Sequence, residues 1–350
     1  MKRNIRKTKI IHGTGLTVLD IILIKGKTIP IFQAGGTCAN VINMLAYFGW
    51  DAHLFARIGN DFAFDIVCKT LTRHGVNLSG VVRDIKETPR IIEKIDPSIA
   101  KHRFLLKCPT CMKYLPRYRS LTLAQIETPL KADSSDVFFF DRVSPANLKL
   151  AIKAKAGGSL VVFEPVQKKV DESLMKAIRS SHIVKYAQDT LGTCLADGLR
   201  SVCDKSEIPL LEIETRGQEG VRFRTKLQSH WDALKSYQEI TVVDTTGAGD
   251  WLTAAFIDGL SKSEQPIINA VKDAKVVKSA LDYAQRIAAY NCQYIGARGA
   301  MDSITAKIMK NDALKGGRLR RQKMETSWNT KKMAQLSDNI CSTCLLTNDS

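Results

Sequence analysis

The 350-residue sequence contains no run of 18 or more apolar residues, so hydrophobic length supplies no membrane-spanning helix. It has no internal repeat and no low-complexity tract, and a repeat architecture is therefore not expected. The opening MKRNIRKTKIIHGTGLTVLDIILI starts basic, yet Asp20 interrupts its apolar part and no small-residue cleavage site follows. A first β-strand is expected there in place of a signal peptide, and with it a cytoplasmic location and no membrane partner. Acid is the other scarcity. Asp and Glu number 35 against 52 Lys and Arg, a net charge of +17.

That surplus is unevenly spread. From Lys307 to Lys332, nine Lys or Arg face only Asp312 and Glu325, with KGGRLRRQKME at the centre. Such a run reads either as an arm for nucleic acid or another polyanion, or as a solvated basic tail. The remaining excess is diffuse and suits phosphorylated ligands. Nine cysteines without an export signal are expected to be reduced. Cys38, Cys68, Cys194, Cys203 and Cys292 lie singly in apolar contexts, as core fillers do. The other four form two pairs, Cys108-Pro-Thr-Cys111 and Cys341-Ser-Thr-Cys344. Four thiolates in two Cys-x-x-Cys pairs match a structural zinc site, provided the fold joins segments far apart in the chain. Two unrelated thiol pairs, or a redox pair in the tail, are the other readings. His102, Arg103, Arg117 and Arg119 flank the first pair, either as solvated side chains or as contacts to an anionic substrate.

Short β-branched runs alternate with helical patterns over most of the chain. KIIHGTGL and VLDIILI read as strands, followed by helix NVINMLAYFGW, strand AHLFARIG and helix FDIVCKTLTRHG. DVFFFD, SLVVFE, HIVKYA and PLLEIET then alternate as strands with helices ANLKLAIKAKAG, DESLMKAIRSS and LGTCLADGLRSVCD. The pattern predicts an α/β fold with a mostly parallel central sheet and helices on both faces. Ligands bind beyond the carboxyl ends of such strands. Residues 88–111 break the rhythm as two extended segments, a hairpin projecting from the sheet as a small β lid. Beyond about residue 304 the apolar periodicity stops, leaving residues 305–350 as a weakly structured basic tail.

The sharpest signal is TVVDTTGAGDWLTAAF, residues 241–256. EITVVD reads as a strand, Gly247-Ala248-Gly249 as a turn and DWLTAAFIDGL as a helix. A glycine-rich turn at a helix N-terminus exposes backbone N–H groups at the positive end of the dipole, a seat for phosphate or a transferring phosphoryl group. Asp250 at the helix start is either an N-cap or a base kept ionised by that position. DIILIKGKT ends like a Walker A loop, but Ile21 stands where its first glycine is required.

DTTGAGDWLTAAFIDG closely resembles the C-terminal signature of the ribokinase-like (PfkB) family of carbohydrate and nucleoside kinases. AGGTCANVINMLAYFGWDAHLFARIGND resembles the family's Gly-Gly-x-x-x-Asn segment, and TRGQEG its Thr-x-Gly-x-x-Gly segment. The similarity spans roughly residues 8–304, with lid segments expected near 22–34 and 86–115. It implies transfer of the γ-phosphoryl group of ATP to a sugar-like hydroxyl, with Mg²⁺. Asp250 would be the base, and the backbone of Gly247, Ala248 and Gly249 the anion hole. Asp20, Gly36 and Asn40 would hold substrate hydroxyls, and Thr215, Gly217 and Gly220 would border the nucleotide. Asp244 and Thr246 lie where many members hold a monovalent cation such as K⁺, and many relatives dimerise through their lids. Departures accompany the match. The family's Asn-x-x-Glu motif falls on Ala187 and Thr190, and Cys38, Ile42 and Phe64 replace smaller residues. A sugar kinase is the leading expectation. A nucleoside kinase of the same fold, or a non-catalytic sugar or nucleotide sensor using its basic tail, are the alternatives.

Overall fold

The structure, a computed structural model, describes residues 8–99, 101–127, 135–166, 169–188, 193–205, 209–315 and 341. Its centre follows from strand β8 (Val137–Phe140), whose residues Val-Phe-Phe-Phe are all buried. Only a strand covered on both faces keeps such a continuous apolar run. Around it a nine-stranded sheet runs in the order β13 (Asp232–Leu234), β12 (Val221–Thr225), β11 (Leu211–Thr215), β10 (Ile183–Ala187), β9 (Leu160–Phe163), β8, β1 (Ile10–Thr14), β4 (Asp51–Gly59) and β5 (Asn77–Asp84). Strands β11 through β5 are parallel, while β12 and β13 close one edge as an antiparallel pair.

Helices cover both faces. α4 (Pro145–Ala156), α5 (Glu172–Arg179) and α6 (Thr193–Lys205) share one core with Phe138, Phe140 and Phe163. The Phe140 and Phe163 rings stack with centroids 4.5 Å apart. Burying each such ring is worth about 1.5–3 kcal/mol. On the other face pack α1 (Thr37–Tyr47), α7 (Ala248–Leu260) and α9 (Ala274–Asn291). α2 (Phe62–Thr72) lies between this sheet and a second one. The short helices α3 (Leu123–Glu127) and α8 (Ile267–Ala270) complete the connections, and α10 (Ala306–Lys315) comes last.

The second sheet is four-stranded, in the order β3 (Ile31–Gly35), β2 (Val18–Ile24), β6 (Arg90–Asp96) and β7 (Lys101–Leu105). The expected hairpin of residues 88–111 thus exists as β6 and β7. It belongs to this small sheet, however, and does not project from the large one. Leu19, Ile21, Phe32 and Ile92 put the inner face of the small sheet into the same core as α1 and α7. Two other expectations are corrected. EITVVD is not a strand: Glu239, Thr241 and Val242 are exposed, and the backbone hangs on the end of α9 through Val243 N–H donating to Cys292 O at 2.8 Å. The sheet edge it would have joined is taken by β13. Order also continues past residue 304, because Met309 and Ala313 of α10 are buried and Arg286 Nε donates to Ala313 O at 2.7 Å.

Candidate active site

α7 begins two residues earlier than the glycine turn suggested. Gly247 is its N-cap with φ of +75°, and Ala248 and Gly249 are already helical. A side chain at Gly247 would be strained by that φ and would meet Ala297 Cβ at 2.6 Å. Ala248 N–H donates to Thr245 O at 3.1 Å. The expected anion hole is corrected at Ala248, whose amide is spent in this bond; the amides of Gly249 and Asp250 are the unspent donors of the first turn, at the positive end of the helix. Lys185 reinforces them. It is 2% exposed, and its Nζ lies 3.7 Å from where a Gly249 Cβ would stand. A Cβ at 249 would stand in ordinary van der Waals contact with that ammonium.

Asp250 is the third helical residue, so it is not the N-cap. Its Oδ2 accepts from Asn40 Nδ2 at 2.7 Å, which ties α7 to α1. Burial, and then the neighbouring Glu164 carboxylate, push its pKa up to about 7. The expectation that the helix start keeps it firmly ionised is corrected here, because desolvation outweighs the dipole. Glu164 follows β9 and binds Lys185 Nζ through Oε1 at 2.7 Å and Thr253 Oγ1 through Oε2 at 2.9 Å. Asp141, after β8, adds a third carboxylate. It accepts from Leu16 N–H at 2.8 Å and from Arg142 Nη1 at 2.8 Å, and burial raises its pKa.

Asp20 enters from the small sheet as the third residue of β2. It lies against Gly35, where any Cβ would fall within 2.4 Å of the Asp20 carboxyl atoms. Burial pushes its pKa up to about 7, against the pull of Arg298. Gly36 caps α1 with φ of +92°, four residues before Asn40. Arg298 is 2% exposed, and none of its three guanidinium nitrogens has a hydrogen-bond partner among the described residues. Its charge acts on Asp20, Asp302 and Asp250 together.

Asp244 meets different surroundings. Its Oδ1 accepts from Thr246 N–H at 3.0 Å and Thr246 Oγ1 at 2.9 Å, and its Oδ2 from Gly296 N–H at 2.7 Å. His102 Nδ1 of β7 lies 3.4 Å from Oδ1. Burial would raise this pKa, but His102 and the amide donors prevail and hold it below the ordinary range. The same contact raises the His102 pKa. Thr246 Oγ1 also bonds Glu93 of β6, whose pKa burial lifts to about 8. Glu93, His102 and Asp244 present ligand-type atoms within 4.8 Å of one another.

Thr215, Gly217 and Gly220 occupy the turn from β11 to β12, with Gly217 and Gly220 at positive φ. Thr215 Oγ1 donates to Tyr186 O at 3.4 Å, placing the turn beside the strand that carries Lys185. Cys108, Cys111 and Cys341 come together with all three sulfurs within 4.8 Å, while Cys344 lies outside the described residues. Thr190 and most of the basic run also lie outside them. Within that run, Lys310 is spent on Asp258 Oδ1 at 3.1 Å and the Phe48 ring.

Glu164, Lys185, Asp141 and Arg298 were not singled out as functional from sequence. Their only sequence signal was position at or after a buried strand's carboxyl end, or just beyond the last core helix. Two departures from the family pattern are absorbed by packing. Ile42 fills the space over Gly13, where a Cβ would sit 2.5 Å from Ile42 Cδ1, and Phe64 carries Arg83 over its ring at 4.2 Å. Cys38 is buried beside Asp141, and burial raises its thiol far out of the reactive range.

Comparison with known proteins agrees with the fold. The family described as pfkB family carbohydrate kinase matches residues 30–304. A fructokinase of Vibrio alginolyticus is 24% identical over 313 residues, covering 83% of this chain and 95% of its own. The crystal structure of ribokinase from Thermotoga maritima superposes with a TM-score of 0.68 at 17% identity, over 88% of this chain and all of that one. A fructokinase from Vibrio cholerae, with fructose, ADP and calcium bound, superposes with a TM-score of 0.66 at 20% identity, over 84% and 96% of the two chains.

Proposed function

The chain belongs to the pfkB family of carbohydrate kinases, and from that premise we propose that it transfers the γ-phosphoryl group of ATP to a hydroxyl of a sugar or sugar derivative. The observation that carries this reading is Asp250. It stands in the first turn of α7, held by Asn40 at 2.7 Å, with a pKa near 7. A general base is most effective when its pKa lies near the working pH. Asp250 takes the hydroxyl proton as the substrate oxygen bonds to the γ-phosphorus. The bond from that phosphorus to the β–γ bridging oxygen breaks, and ADP leaves. The Gly249 and Asp250 amides and Lys185 face the charge on the equatorial phosphoryl oxygens, where fixed donors stabilise a transfer most.

Asp20, Asn40 and the backbone at Gly36 hold the sugar hydroxyls, and Thr215, Gly217 and Gly220 border the nucleotide. Glu164, whose oxygens face Lys185 and Thr253, is the carboxylate that would hold Mg²⁺ through water. Bound there, Mg²⁺ would supply positive charge against the phosphate groups. A K⁺ ion at Asp244 and Thr246 would compete with His102 for the Asp244 carboxylate. The small sheet acts as the lid, since it delivers Asp20, Glu93 and His102. Phe104 and Leu106 at its outer edge are more than half exposed, which supports pairing of two chains there.

ADP production with ATP, Mg²⁺ and K⁺, across sugars, sugar phosphates and nucleosides, tests the proposal, with Asp250→Asn as control. Turnover with a sugar that vanishes in the variant supports it. Turnover with nucleosides alone would reassign the acceptor, and ligand binding without turnover would point to a sensor.

A further inference from the structure

We propose that Cys108, Cys111 and Cys341 are ligands of a structural zinc site that ties Cys341 to the segment following β7. The inference is independent of the kinase reading. Its first support is convergence. Residues 230 positions apart place Cys111 Sγ 3.7 Å from Cys341 Sγ, and Cys108 Sγ completes a triangle with every side within 4.8 Å. The edge of a tetrahedron with zinc–sulfur bonds of about 2.3 Å is roughly 3.8 Å. A disulfide would need about 2.05 Å.

The second support is the backbone of the first pair. Lys107 and Tyr114 form an antiparallel bridge, Cys108 N–H donates to Lys113 O at 2.9 Å, and Met112 N–H donates to Cys108 O at 3.0 Å. Residues 108–113 are thereby folded into a tight knuckle with both thiols on the same side. Met112 closes it at φ of +60°, the single non-glycine residue with positive φ among those described. That conformation is strained for a residue with a Cβ, and an ion gripped by the knuckle would offset it. Third, Cys108 and Cys341 are 2% and 4% exposed, and both join the core cluster that includes Leu115. A metal there is shielded from exchange, as structural zinc sites are.

Charge points the same way. Zinc held by these three thiolates carries a net charge of −1, and Lys107, Lys113 and Arg117 flank the knuckle in the sequence. Binding releases one proton from each thiol, with no change of oxidation state. Because β7 ends at Leu105, three residues before Cys108, the site also anchors the strand that carries His102.

The test is metal analysis of the full-length protein purified without added chelator. One zinc per chain is expected, falling below one tenth in Cys111→Ser and Cys341→Ser and unchanged in Cys68→Ser, whose thiol lies outside the cluster. Cobalt substitution of the wild type should give the intense visible bands of tetrahedral thiolate coordination, which does not depend on any variant folding. Absence of zinc together with a Cys111–Cys341 disulfide in non-reducing mass spectrometry would overturn the site in favour of a redox pair. Zinc retained in both serine variants would overturn it in favour of another location, with Glu93, His102 and Asp244 the first to examine.

Discussion

Asp244 and Asp250 stand six residues apart, one before and one after the Gly247 cap of α7, and their carboxyls are driven in opposite directions. Asp244 is the more buried, at 1% exposure, yet it is held ionised because Thr246, Gly296 and His102 surround it with donors. Asp250 is only partly buried by its own surface, but it is desolvated, sits near Glu164 and Asp141, and accepts one strong bond from Asn40. The difference teaches that burial alone does not decide protonation. What decides it is whether donors aimed at the carboxylate outnumber the neighbouring anions. One carboxyl is thereby held below the ordinary range, and the other is brought up to about 7.

Removing the Asp250 carboxyl is expected to have the largest effect. Asp250→Asn should lower kcat by about 10²- to 10⁴-fold, the usual worth of a general base, while Asn40 keeps a partner. Its stability offers an independent check. The folded pKa of Asp250 is raised above its ordinary value, so the wild type loses stability as pH rises from about 4 through 7. Melting temperatures should therefore favour the variant at pH 8 and converge with wild type below pH 4. A variant that is less stable than wild type at pH 8 would contradict the assigned shift.

Gly247→Ala comes next, since it attacks the turn that separates the two aspartates. Strain of roughly 1–2 kcal/mol from the positive φ, plus the clash with Ala297, should displace the first turn of α7. Turnover is expected to fall more than tenfold with only a modest loss of melting temperature. The pH profile sharpens the comparison further. kcat/KM should decline below about pH 7 as Asp250 takes up its proton. Glu164→Gln removes a neighbouring anion, so the acid limb should move to lower pH. Lys185→Met removes a neighbouring cation and should move it higher. Limbs that stay in place in both variants would break the electrostatic account.

The smallest effect is expected at Asp244. His102→Ala deprives Asp244 of one donor among several, a change of about 1 kcal/mol. Stability from a depressed carboxylate is present above its unfolded pKa and is lost as pH falls through the folded value. The deficit of His102→Ala should accordingly appear at neutral pH and shrink toward pH 3 in denaturant titrations.

Much of this was legible in the chain. The alternation of buried β-branched runs with helical periods revealed the parallel sheet, because strand and helix repeats are local properties. The hairpin after Thr88 was readable as two extended segments. Its membership in a second sheet was not, because β2 and β6 pair from positions some 70 residues apart. EITVVD was misread for a related reason. Its strand-forming residues were real, but the sheet edge they would have joined was occupied by β13. α10 was missed because its apolar face is narrow, only Met309 and Ala313 being buried.

By itself, the sequence determined the glycine-capped entry to α7, the placement of Asp250 in its first turn, and Asn40 on the first helix. Those depend on backbone freedom and periodicity over a few residues. Tertiary structure alone decided that Glu164 and Lys185 meet at that turn, that Arg298 is buried beside Asp20, and that three cysteines converge. It also decided the protonation of both aspartates. Desolvation and Coulomb forces act through space, between groups that the chain keeps far apart until it folds.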